Sequence, residues 1–104
     1  MRIAEVIGKV TLNRSHPSFD HARLRLVVPL NLDDLSENKT SDAAFSNADL
    51  IVAYDELGSG INSRVLLSEG PEAAQPFRPE IKPVDAYIAG ILDTLHIKLP
   101  KELT

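Results

Sequence analysis

The chain has 104 residues, enough for one domain with a thin core. It contains no cysteine, which excludes disulfides, thiolate zinc sites, iron–sulfur clusters and a thiol nucleophile. Its net charge of −4 argues against non-specific nucleic-acid binding, which needs a basic face.

No apolar run approaches the ~20 residues that span a bilayer. Met1-Arg2-Ile3-Ala4-Glu5 carries an acid and no apolar stretch, so no signal peptide is expected and a soluble, intracellular protein is. Ile3–Leu12 reads as a strand rich in β-formers, with Gly8 marking a bulge or a close backbone approach. Asn13–Ser18 is turn chemistry. Ala22–Leu30 alternates, with Leu24 and Leu26 set against Arg23 and Arg25, and Pro29 places its end at an edge. Residues 31–49 form a long polar loop. The sequons at Asn13 and Asn38 carry no weight without a signal peptide.

Leu50–Tyr54 and Arg64–Ser68 are two further short strands with continuous apolar runs, so both of their faces are expected to be covered. Glu72–Gln75 suits one helical turn ahead of Pro76. Over residues 83–95 the spacing of Val84, Ile88, Ile91, Leu92 and Leu95 predicts an amphipathic helix, opened by Pro83 and Asp85. Gly90 in that helix would mark a closely packed backbone. His96–Leu99 alternates and reads as a short final strand. Strands, then a helix, then a strand favour a small β-barrel with an appended helix over a parallel α/β sheet.

No constellation points to chemistry. His16, Asp20 and His21 match no zinc spacing and read as solvated loop residues. Asp55 and Glu56 are adjacent, so on an extended segment they face opposite ways and do not form an acid–base pair. Gly58-Ser59-Gly60 is followed by a strand and no lysine, which fits a tight turn rather than a phosphate loop. The chain has no tryptophan and few aromatics, whereas a single-strand-binding barrel wants stacking platforms. No enzyme, cofactor or metal is expected, and an interaction protein remains.

Three ordered blocks carry a family resemblance. The first is Met1–Thr11 followed by His16-Pro17-Ser18. The second is Tyr54–Gly60, with Val65–Gly70 and Glu72-Ala73-Ala74. The third is Lys82–Ala86 with Ile91-Leu92-Asp93. Together they resemble the EutN/CcmL family of bacterial microcompartment vertex proteins across residues 1 to about 97.

The resemblance implies a single domain over 1–104. Its fold class would be mainly β, a small closed OB-like barrel with one C-terminal helix (83–95) and a short final strand. It implies a homopentamer that caps the vertices of a polyhedral shell in the bacterial cytoplasm, beside hexameric shell proteins, with no nucleic-acid or membrane partner. Carried over, Gly58, Ser59, Gly60, Ile61 and Asn62 would form the loop at the five-fold axis and its pore. Val84, Asp85, Ile88, Ile91, Asp93 and Leu95 would contribute to the subunit interface. Asp93 near the predicted helix C-terminus opposes the helix dipole and calls for a cation or amide on an adjacent chain. The sequence departs from the family in carrying His21 where a glycine is usual, and in its long 31–49 loop. The competing reading is an OB-fold binding module for a nucleic acid or small ligand.

Overall fold

The computed structural model describes residues 1–36 and 49–98. Most of the expected polar loop (37–48, with the Asn38 sequon) and Leu99 of the expected final strand lie outside them. Strands β1 (Arg2–Val10), β2 (Leu24–Pro29), β3 (Ile51–Tyr54), β4 (Arg64–Glu69) and β5 (Ala86–Ile91) close into a barrel in the order β1-β2-β3-β5-β4. Neighbours are antiparallel, except that β3 and β5 run parallel and meet at Tyr54–Tyr87. This is the expected OB-like barrel.

The first four strands form where β-branched and leucine-rich segments predict them. The register of β1 against β2 shifts between Val6 and Gly8, so the bulge expected near Gly8 is present. A side chain at Gly8 would make only ordinary contact with Leu26, so close approach is not what that glycine serves. A second shift, between Leu66 and Leu67, lets β4 coil onto β5.

Residues 83–95 are not a helix. They supply β5, whose inward residues Ala86 and Ile88 are buried while Ala89 and Ile91 face out. The segment satisfies periods of 3.6 and 2 alike, and pairing decided between them. Without β5, β3 and β4 would each expose an unpaired edge. Gly90 disfavours a helix by about 1 kcal/mol. It lies opposite Leu66, whose side chain, not a backbone, is its neighbour. With the helix goes the dipole argument for a partner to Asp93. His96–Lys98 carries no strand among the described residues.

The only α-helix among the described residues is α1 (Leu32–Ser36), at the start of the stretch expected to be loop. Asn31 caps it: its side chain accepts from Asp34 N–H (2.8 Å), and Asp34 accepts from Asn31 N–H (3.0 Å). Leu35 then covers an outer apolar patch of Ile3, Ile7, Val28 and Leu30. A 3-10 helix over Gly70–Phe77 extends the expected single turn and runs through Pro76. It drives Phe77 edge-on against Tyr54 (4.8 Å) and Tyr87 (5.5 Å), which plugs one part of the barrel. Lys82 lies over the Phe77 ring (4.9 Å) and donates to Ser18 O (2.6 Å). His21 adopts φ +64°, the left-handed turn that a glycine would take without strain.

The barrel interior is filled by Ala4, Val6, Val27, Ala53, Val65, Leu67, Ala86 and Ile88. These side chains are aliphatic and none is aromatic, as suits the narrow interior of a five-stranded barrel. Ile88→Ala should therefore cost about 2–4 kcal/mol in urea unfolding, whereas Ala89→Ser on the outward face should change stability by less than about 0.5 kcal/mol. Equal effects would contradict the β5 register.

Candidate assembly site

β3 ends at Tyr54 and delivers Asp55 into the protein, where only 1% of its surface is exposed. Its carboxylate organises the whole following loop. Oδ1 accepts from the N–H groups of Leu57 (2.9 Å) and Gly58 (3.1 Å). Oδ2 accepts from Ser59 N–H (2.8 Å) and Ser59 Oγ–H (2.9 Å). Arg25 lies 3.3 Å from the same oxygen and donates to Ser59 O at 2.9 Å. Burial pushes the Asp55 carboxyl up, but the hydrogen bonds from Leu57, Ser59 and Gly58 outweigh it and hold the group below the ordinary carboxylate range.

Gly58 takes φ +80°, which the turn around the carboxylate requires; Gly60 does not need a positive φ, but Asn62 does (+74°). Of the two glycines in the tight turn expected here, only Gly58 uses the backbone freedom of glycine. The far limb of the loop is tied to β1. Asn62 N–H donates to Val6 O (2.8 Å) and Val6 N–H to Ser63 O (2.9 Å), which lengthens the β1–β4 ladder by one pair. Glu56 points elsewhere and accepts from the Tyr87 hydroxyl at 2.8 Å. Burial, with Glu56 second, pushes the Tyr87 phenol up to about 12. The two acidic neighbours thus diverge, as expected of adjacent residues.

Of the residues expected at the axis, Gly58, Gly60, Ile61 and Asn62 are exposed, while Ser59 is turned inward and buried. Of those expected at the interface, Asp85, Ile91, Asp93 and Leu95 are exposed and Val84 is half-buried. Ile88 is a correction: it is wholly enclosed in its own barrel and offers nothing to a neighbour. Sequence reasoning missed Asp55 and Arg25 as the loop's organisers, and the exposed Leu57. An Asp followed by Leu-Gly-Ser at two to four residues is an Asx-turn pattern and was the available signal. Among the described residues no group of three or more His, Cys, Asp or Glu side chains is placed to hold a metal.

A closed OB-like barrel with a rigid, carboxylate-centred loop defines the structural class. Comparison with known proteins then narrows it. The family described as "Ethanolamine utilisation protein EutN/carboxysome" matches residues 1–93. The chain is 32% identical over 93 residues to the bacterial microcompartment shell vertex protein EutN of Salmonella typhimurium, covering 89% of this chain and 84% of that protein. It is 33% identical over 98 residues to the carboxysome shell vertex protein CcmL of a Nostoc species, covering 94% and 88%. CcmL of Gloeobacter violaceus superposes with a TM-score of 0.74 at 28% identity, covering 93% of this chain and 90% of that one. GrpN, a pentameric microcompartment shell protein from Rhodospirillum rubrum, gives 0.72 at 26% identity, covering 94% and 100%. The chain belongs to the EutN/CcmL family.

Replacing Asp55 by Ala would leave three N–H groups and the Ser59 hydroxyl without their acceptor and Arg25 without its carboxylate, so stability should fall by about 2–4 kcal/mol. The pH dependence follows from the lowered carboxyl. Its contribution is complete above the unfolded-state value near 4 and is lost as pH falls through the lower folded value. Urea unfolding of the native chain and of Asp55→Asn should therefore differ most above about pH 5 and converge as pH falls below the ordinary carboxylate range. A gap that stays constant with pH would contradict the assignment.

Proposed function

We propose that the chain is a vertex subunit of a bacterial microcompartment shell, closing with copies of itself into a homopentamer that sits among hexameric shell proteins in the bacterial cytoplasm. Family membership over residues 1–93, with vertex proteins as the named relatives, is the observation that carries the reading. The OB-fold binding alternative is not favoured: the relatives are shell proteins, and the chain's net charge is −4.

The barrel supplies a physical reason. Its sheet is closed, so association cannot proceed by adding strands at an edge and must use side chains on the outside. Val52, Leu57, Ile61, Ile91 and Leu95 all leave 39% or more of their surface exposed in the single chain. One such surface meeting a different one, repeated around an axis, closes a ring. Hexagonal units alone tile a flat sheet, and a five-fold unit introduces the curvature that closes a shell. In this arrangement Gly58, Gly60, Ile61 and Asn62 line the axis, where five chains crowd together, and Ser59 acts from behind by bonding Asp55. Val84, Asp85, Ile91, Asp93 and Leu95 lie toward neighbouring subunits. The role is structural and asks no catalysis of the subunit.

Native mass spectrometry tests this directly. A species five times the chain mass is expected at micromolar concentration, and a persistent monomer would overturn the proposal.

A further inference from the structure

Two exposed apolar features of the barrel lie at opposite ends of β5. At its start is a cleft of about 200 Å³ lined by Leu12, Phe19, Val52, Tyr54, Val84 and Asp85, among others. At its finish the chain leaves the sheet: Leu92 N–H still bonds Arg64 O (2.8 Å), and residues 93–98 then run without regular structure. On this arm Leu95 and Ile97 are each 39% exposed. Being two residues apart, they would share a face once the arm is extended.

We infer that the arm of one subunit, through Leu95 and Ile97, seats in the β3–β5 cleft of the next subunit in the ring. This rests on the proposed homopentamer and names the surfaces that would close it.

The arm does not line its own cleft: no residue of 93–98 is among its walls. From Ala86 to Ile91 the strand rises about 17 Å, while the four residues from Ile91 to Leu95 reach at most about 14 Å even when fully extended. Leu95 therefore falls short even if the chain doubles back along β5, and the two anchors cannot both seat in the cleft of their own subunit. A donor at one end of a strand and an acceptor at the other make two different patches, which is the head-to-tail arrangement a ring requires.

The chemistry of the two patches agrees. The arm offers aliphatic side chains, and the cleft has apolar walls in Leu12, Val52 and Val84. Asp85 lines the cleft and Lys98 ends the described arm. Neither has a salt-bridge partner among the described residues. Seating the arm brings this carboxylate and this ammonium together, and that charge match favours a second copy of the chain as the occupant.

The absence of native cysteine makes the test clean. One population carrying Val52→Cys and another carrying Ile97→Cys are assembled together and treated with a short bis-maleimide linker. A covalent dimer between the two kinds of chain is expected, and a ladder reaching the pentamer when both substitutions are on one chain. A ring of native mass that yields no inter-chain product overturns the arm contact and leaves the vertex reading standing. A native chain that never assembles overturns the vertex reading, and the arm contact falls with it. As a second measure, Lys98→Glu should weaken the contact between neighbouring subunits by about 1.5-fold to fivefold, the range of an exposed ion pair. Adding Asp85→Lys should restore it. A ring unchanged by Lys98→Glu, or not restored by the swap, overturns the pairing.

Discussion

Closure of the barrel rests on β5. It bonds along β4 through five register pairs and touches β3 at the single Tyr54–Tyr87 position. That one parallel contact converts a curled sheet into a barrel. It also brings Tyr87 beside Glu56 and Phe77, so the aromatic plug, the loop after β3 and the last strand are fixed relative to one another. Because the barrel is small, its inner positions tolerate only alanine, valine, leucine and isoleucine, and much of the apolar content must stand elsewhere. Some of it covers an outer patch under α1, some packs around Tyr54, and some is left on the surface. A surplus of exposed apolar side chains on a domain with no free sheet edge suits side-by-side assembly.

The loop after β3 shows how a buried charge specifies shape. Asp55 is not stabilised by a single ion pair. Its desolvation is offset by three backbone N–H groups, one hydroxyl and the nearby Arg25 guanidinium. The result is a turn with one geometry. Ser59 faces in, Ile61 stands at the outer limb, and Ser63 and Asn62 clasp Val6 of β1. In the proposed pentamer a loop with one conformation would spare the ordering cost that each flexible residue adds to a contact.

Local chemistry made much of this legible in the sequence. The β-formers of residues 3–12, 22–30, 50–54 and 64–68 marked four of five strands, because side-chain preference and pairing agree there. The three ordered blocks were sufficient to recognise the family, because the turn at Gly58, the β4 run and the approach to β5 constrain residues tightly. The divergence of Asp55 and Glu56 followed from the two-residue repeat of extended chain. His21 was marked as the unusual residue at a left-handed turn, and it takes φ +64°.

Tertiary structure alone decided the rest. Residues 83–95 satisfy two periodicities, and only the vacancy between β3 and β4 selects the strand; that selection moves Ile88 from a presumed interface into the core. Arg25 looked like a solvated residue on an alternating strand. It became the buried partner of Asp55 because closure brings residues thirty positions apart to 3.3 Å. Sequence patterns carry the preferences of neighbours along the chain, and these contacts arise between residues that only the closed sheet makes neighbours.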